Sequence, residues 1–260
     1  MALPTFNSFS FNDSNFITER IVFKGYAGRE VIRANIARRE GVKLLNTEFG
    51  EKEVTLEGVI IADDANNLQS LLDGMKQAIT AEEADLILEQ GRTFTATIKS
   101  LVIPDEHYSQ SKAIFEASFI CTKPFALGAS QVVVIPVTSG LFTISGSVVI
   151  SGTTFARPVI EYTPGAPVTG DTNITRIDIY HVPTAQTVTV SGFGNGRYLS
   201  YADPVSVDFD SFTSLEGGVA ADNTGSFPRW QVGTNAFTVS SVGKAFPGGS
   251  ISLTYAPRYL

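Results

Sequence analysis

Alternation of apolar and polar residues dominates the first half of the chain and predicts β-strands. In residues 52–57, the apolar Val54 and Leu56 alternate with charged and polar neighbours, which is the spacing of a strand with one buried face. Gly58 follows directly. The same period, or a β-rich apolar composition, marks further segments at residues 17–27, 31–37, 84–88, 94–98 and 113–121. We therefore predict a mainly antiparallel sheet assembly in this half of the chain.

One segment changes to the period of a helix. Its apolar residues fall three or four positions apart, which places them on a single stripe, and they are Leu68, Leu71, Leu72, Met75 and Ile79. This spacing predicts one α-helix over about residues 64–79, with Asp63 or Asp64 as its N-cap. Gly74 within it costs about 1 kcal/mol relative to alanine, so packing must hold the helix in place.

Short β-rich runs separated by turn residues fill the second half, and no helical period is visible there. Turn signals recur about every ten residues, a spacing typical of an all-β sandwich or jelly roll. Asn195-Gly196 predicts a tight hairpin, and residues 145–152 predict another. Pro124 ends the last strand of the first half, since proline cannot donate to a sheet ladder. We therefore predict two domains, residues 1–125 and 126–260.

Composition agrees with a folded, charge-poor protein. Hydrophobic residues make up 43% of the chain and charged residues 17%, which excludes a largely disordered protein. Residues 1–130 hold 13 basic and 18 acidic residues, whereas residues 131–260 hold 6 and 8. The net charge of −7, without a cluster of Lys and Arg, argues against nucleic-acid recognition.

Neither membrane insertion nor a cleaved signal peptide is expected. The longest apolar run, residues 132–137, is only as long as a strand. The first residues lack a basic region followed by an unbroken apolar stretch.

Candidates for catalysis or metal binding are few. The two histidines, His107 and His181, are far apart in sequence and are interpreted as a solvated loop residue and a strand-end surface residue. Cys121 is the single cysteine, so it forms no internal disulfide and no thiolate metal site, and its strand pattern places it in the core. No histidine or cysteine pair has the spacing of a metal site. We expect no metal and no cofactor.

Paired carboxylates and a glycine-rich loop also have structural explanations. Asp63-Asp64 lies where a helix N-terminus needs a cap, and Glu82-Glu83 begins a polar connector. Residues 192–196 contain three glycines, but no helix follows that could hold a phosphate, so a hairpin is the better interpretation. The sequence predicts no catalytic residue, and hence a protein that is not an enzyme.

One aromatic segment leaves an alternative open. Residues 227–230, Phe-Pro-Arg-Trp, contain the only tryptophan of the chain, Trp230. An exposed Trp230 could stack on a sugar ring, and the protein would then be a carbohydrate-binding β-sandwich that contacts host cell-surface sugars. Sandwich cores use the same residue types, so a core role for Trp230 is the other interpretation.

The order of these segments resembles the distal tail proteins of bacteriophages with long, non-contractile tails. In the first half the resemblance is carried by residues 44–50, 52–61, the helix, 84–90, 93–103 and 119–125. In the second half it is carried by residues 157–160, 201–209, 227–235 and 251–259. The second half is long enough for one sandwich, so the inserted sugar-binding modules of enlarged family members are not expected.

The resemblance implies a fold and a function. It implies an N-terminal ring-forming β-sandwich or split-barrel domain with one helix, followed by a galectin-like β-sandwich. It implies a homohexameric ring at the tail tip of the virion, assembled in the host cytoplasm. The ring would contact the tail tube protein, the tail-tip hub or tail-associated protein and the tape-measure protein. DNA would pass through its channel without specific binding.

Overall fold

The structure, a computed structural model, describes residues 3–24, 29–35, 42–49, 51–104, 111–165, 172–193, 198–200 and 203–260. The chain divides into two compact units. The first is Met1–Gly128 together with Tyr259–Leu260, and the second is Ala129–Arg258. The ring-forming and galectin-like roles that the resemblance implies for domains 1–125 and 126–260 stay predictions.

Antiparallel strands build the first unit. They are β1 (Thr5–Phe6), β2 (Phe9–Ser10), β3 (Phe16–Lys24), β4 (Arg29–Asn35), β5 (Val42–Phe49), β6 (Lys52–Ile61), β7 (Ala84–Glu89), β8 (Arg92–Val102), β9 (Lys112–Cys121) and β10 (Ala126–Leu127). The main sheet has the order β2-β1-β7-β8-β9-β6-β3, so β3 forms one edge of it. Strands β4 and β5 pair with each other in a separate two-stranded sheet.

The predicted helix is confirmed as α1 (Ala65–Ala78). Asp64 is its N-cap, and its carboxylate accepts a hydrogen bond of 2.8 Å from the Asn67 amide. Leu68, Leu72 and Met75 are buried, as the stripe of apolar residues requires. Packing of this face against the sheet offsets the low helix propensity of Gly74.

The core of the first unit lies between α1 and the main sheet. The rings of Phe6 and Phe119 lie 4.9 Å apart, and those of Phe11 and Phe115 lie 5.8 Å apart. Strand β6 continues through Gly58, where a Cβ would approach the Phe115 ring to 2.8 Å and collide with the backbone of β3. Glycine therefore permits the close approach of these elements at this point.

The second unit is a sandwich of antiparallel strands. They are β11 (Gln131–Val137), β12 (Thr143–Ile150), β13 (Val159–Pro164), β14 (Arg176–His181), β15 (Gln186–Ser191), β16 (Val205–Asp208), β17 (Thr213–Glu216), β18 (Val219–Ala220), β19 (Asp222–Gly225), β20 (Gly233–Val242) and β21 (Gly249–Tyr255). A last strand, β22 (Arg258–Tyr259), closes the chain.

Two sheets enclose one core in this second unit. The sheets have the orders β11-β21-β13-β16-β17-β18 and β12-β20-β14-β15-β19. Leu253 and Ile160 from the first sheet and Phe237 and Val239 from the second belong to the same buried cluster. The prediction of a mainly β protein with one α-helix is confirmed, and the only other helical turn in the described chain is a 3-10 turn at Val182–Thr184.

One of the two predicted hairpins is wrong. Residues 145–152 do not turn back, because Thr143–Ile150 is one continuous strand. Gly146 lies inside it where a Cβ would collide with Ile135 and Phe237, so the glycine serves close packing rather than a turn. The other hairpin, predicted at Asn195-Gly196, stays a prediction. The four residues 194–197 themselves lie outside the described residues.

No helix in the described part of the chain is both long enough and apolar enough to cross a membrane.

Candidate functional site

The predicted carboxylate pairs do not form an acid–base site. Asp64 caps α1, and Glu83 accepts a hydrogen bond of 2.6 Å from the Thr122 hydroxyl. Asp63 and Glu82 are solvent-exposed. In the part of the chain that the structure describes, no three His, Cys, Asp or Glu side chains come together to hold a metal ion.

Cys121 is a buried thiol in the core of the first unit. Its exposed fraction is 0%, and burial raises its pKa to about 11, against a smaller opposing effect of Lys52. Lys52 is itself mostly buried, with its ammonium nitrogen 4.9 Å from the ring centre of Phe23 and 4.7 Å from that of Phe94. A thiol with a raised pKa is a poor nucleophile, so Cys121 is a packing residue.

The sequence-based interpretations of the two histidines have different outcomes. His107 lies outside the described residues. His181 is fully buried, so its interpretation as a surface residue is wrong. Its ring nitrogens lie 2.8 Å from the Thr184 hydroxyl and 3.0 Å from the Asn235 side-chain oxygen. Burial lowers the pKa of His181, which keeps the imidazole neutral.

Trp230 packs against this histidine in the core of the second unit. It is 0% exposed, and its ring stacks on His181 at 4.7 Å with an interplanar angle of 20°. Phe237 and Phe209 contact it at centroid distances of 5.3 and 6.1 Å. A sugar cannot reach a ring enclosed in this way, so the burial argues against Trp230 as a sugar contact. Its alternative interpretation as a core residue fits the geometry.

A group of charged and aromatic side chains from four separate chain segments meets on the second unit. We call it the arginine–phenylalanine cluster; its members are Phe155, Arg157, Asp210, Phe212, Arg229 and Arg258. The guanidinium carbons of Arg229, Arg258 and Arg157 lie 4.7, 5.4 and 5.9 Å from the centre of the Phe155 ring. Arg157 also lies 4.8 Å from the Phe212 ring. These distances fit cation–π contacts.

Backbone pairing brings these segments together. Gly152 bridges Arg258 in parallel, and Ala156 bridges Trp230. At Gly152, where φ is +111°, a Cβ would lie 2.6 Å from the Arg258 carbonyl oxygen. Only glycine fits this approach, which holds the residues around Phe155 beside the last strand of the chain.

Positive charge exceeds negative charge within the cluster. Asp210 accepts a hydrogen bond of 2.9 Å from Arg258 and lies 3.7 Å from the Arg157 guanidinium. Burial lowers the pKa of Arg157 most; Asp210 opposes this shift, and the neighbouring Arg229 and Arg258 add to it. One carboxylate is thus shared by two guanidiniums beside a third.

This cluster was not predicted from the sequence. Its members are distributed between positions 155 and 258, and no short motif unites them. A signal existed in the charge count, because these three arginines are half of the six basic residues in 131–260.

A different surface lies on the first unit, at the edge strand β3. Ile17 and Phe23 on this strand are 40% and 48% exposed although both are apolar. Ile17 is opposite Val59, and Val59 is opposite Ile114, so three apolar side chains form a row across β3, β6 and β9. Among the described strands, only β6 pairs with β3, and an edge strand beside an apolar row is a surface suited to strand pairing with another chain.

Comparison with known proteins gives a fold match in solved structures. No protein-family model and no curated protein sequence matches the chain. The SPP1 Dit protein, described as a paradigm of the hub adsorption apparatus in phages that infect Gram-positive bacteria, matches with a TM-score of 0.70. Its identity is 11%, and the match covers 99% of this chain and 98% of that chain.

The phage P2 baseplate in its activated conformation is a weaker match. With calcium it has a TM-score of 0.40 at 6% identity, covering 91% of this chain and 90% of that one. With strontium the TM-score is 0.37 at 7% identity, with 90% of each chain covered. SPP1 Dit is a hub component rather than an enzyme. The SPP1 Dit match confirms the resemblance seen in the sequence at the level of fold: this chain has, over nearly its full length, the fold of a phage distal tail protein.

Proposed function

We propose that this chain is a structural virion protein, the distal tail hub that joins a phage tail tube to the host-recognition tip apparatus. The observation that carries the proposal is the match of both units to SPP1 Dit at a TM-score of 0.70 over 99% of the chain. A β-sandwich alone serves many functions, so a match of one unit would say little. A match of two different β units in the same order leaves far fewer possible functions.

The proposed working form is a homohexameric ring. Rings arise from heterologous contacts in which one surface of a protomer meets a different surface of the next. The edge strand β3 and the apolar row of Ile17, Val59 and Ile114 supply one such surface on the first unit. The partner protomer would cover this row and extend the sheet.

The ring would leave a central channel. Residues 1–130 carry 13 basic and 18 acidic residues, a net charge of −5. A wall of this sign does not hold DNA, because phosphate binding requires basic side chains. DNA and the tape-measure protein would pass through, while the tail tube protein and the tail-associated protein would bind the ring on its two sides. The protein would then reside at the virion tail tip after assembly in the host cytoplasm.

Light scattering after size exclusion, together with negative-stain imaging, tests the ring. A hexamer of 27.9 kDa chains has a mass of about 167 kDa, six times that of the monomer. Ile17→Lys should shift the protein toward smaller species, since it places a charge at an apolar contact. Val149→Lys is the matched control, because Val149 is 65% exposed on the second unit. A wild-type chain that stays monomeric at high concentration with tail tube protein present would contradict the proposal.

A further inference from the structure

We propose that the arginine–phenylalanine cluster is a binding site for an acidic segment of a partner protein, with carboxylates received by Arg157 and Arg229. The proposal goes beyond the hub function and depends only on the second unit. Residues 131–260 contain six basic residues, and three of them surround Phe155. In a chain with a net charge of −7, such convergence creates a local positive surface.

Asp210, the carboxylate within the cluster, does not satisfy Arg157 and Arg229. Asp210 contacts both Arg157, at 3.7 Å, and Arg258, at 2.9 Å. Arg229 is exposed to solvent and has no carboxylate partner among the described side chains. An added carboxylate would bring the charges closer to balance.

Arg157 is partly accessible to a ligand, because 19% of its side chain is exposed. Its Nε is buried, and no acceptor in the described chain hydrogen-bonds to it. A guanidinium that lies over an aromatic ring presents its N–H groups at its edge, where a carboxylate binds in a fork. The Phe155 and Phe212 rings therefore orient Arg157 for this type of contact.

Phe212 indicates that the ligand has apolar as well as acidic groups. It is 49% exposed, and its backbone lies in the left-handed region with φ of +59°. This conformation is unfavourable for a bulky residue, and strained conformations of this kind cluster at functional sites. The Phe227 ring supports Phe212 at 5.5 Å. Exposed aromatics beside arginines are typical of protein interfaces, whereas a free phosphate would make no use of the ring.

Fluorescence anisotropy with the full chain tests the site. The probe is a labelled, capped hexapeptide of sequence Asp-Glu-Phe-Asp-Glu-Phe, and its control has Asn and Gln in place of the acids. Arg229→Gln should weaken binding of the acidic probe about tenfold, the value of one charge-assisted contact. Arg176→Gln is the matched control, because Arg176 is an exposed arginine of the same unit whose guanidinium pairs with Asp178 at 3.0 Å. The Kd of Arg176→Gln for the acidic probe should stay within about twofold of the wild-type value.

Each other result overturns the proposal. Equal weakening by Arg229→Gln and Arg176→Gln would mean attraction by overall charge. Equal binding of the Asn/Gln peptide would mean a purely apolar contact. Polyphosphate binding with the acidic peptide at background would assign the cluster to a phosphate polymer. The absence of peptide binding by the wild-type chain at millimolar concentration would leave the cluster as a structural ion-pair group.

Discussion

Replacement of Trp230 by alanine should unfold the second unit more readily rather than remove a surface contact. The side chain is 0% exposed and contacts the rings of His181, Phe237 and Phe209. Truncating a buried tryptophan costs about 3–5 kcal/mol through lost transfer free energy and the cavity left behind. For a unit of about 130 residues, each kcal/mol lowers Tm by about 3–4 °C, so the expected fall is about 10–20 °C.

Trp230→Phe separates packing from polarity. The indole N–H is buried without a hydrogen-bond acceptor among the described residues, a state that costs about 1–3 kcal/mol. Phenylalanine loses ring area but removes this donor. The two effects partly cancel, so Trp230→Phe should cost about 1 kcal/mol or less.

Calorimetry of the full chain measures both variants, and the wild type offers an independent check. Trp230 is the only tryptophan, so its emission should be blue-shifted and protected from acrylamide quenching. An alanine variant that melts at the wild-type temperature but no longer binds glycans would refute the core assignment and restore the sugar contact. Equal losses for Phe and Ala would refute the reasoning about the N–H group.

Three further predictions concern stability and reactivity. Burial lowers the pKa of His181, so the unfolded chain binds a proton at a higher pH than the folded chain does. The free energy of unfolding should therefore fall as pH drops below 6.5 toward the folded-state pKa. Urea unfolding from pH 8 to 5 should show a shallower fall for His181→Gln than for the wild type. Gly74 is an exposed helix residue with free space around a Cβ, so Gly74→Ala should add about 1 kcal/mol, measured by urea midpoint, and a loss would contradict this. Cys121, with a pKa of about 11, should not react with a thiol reagent at pH 8 until the chain is unfolded, and rapid reaction of the native chain would show that it is accessible.

Period and capping were sufficient to predict the regular elements. The stripe that includes Leu68, Leu72 and Met75 gave the helix within one residue at each end, because a helix that buries one face must repeat every three or four positions. The alternation from Ala113 to Cys121 likewise predicted β9, whose alternate residues are buried. Such signals are local, so they can be recognised without knowing which helix or strand packs against the segment.

Features that depend on two distant segments were not predicted. His181 ends a strand beside a proline, a position that suggests exposure, but Trp230 and Asn235 from another part of the chain cover it. Gly146 resembles a turn residue in sequence, and only Phe237 on the paired strand and Ile135 across the sandwich explain its role within a strand. These contacting residues are so far apart in the sequence that no short pattern predicts their contact.

The arginine–phenylalanine cluster also joins distant segments of the chain, and this affects how its function can be assigned. At 11% identity to SPP1 Dit, the shared fold rests on period and turn placement rather than on particular side chains. A fold match therefore transfers the architecture but not a site composed of Phe155, Arg157 and Arg229. The concentration of half the cations of residues 131–260 around one ring is not required to build a sandwich, since hydrophobic packing does that. Its cost in desolvation and mutual repulsion is the reason to test it as a binding site of this chain in particular.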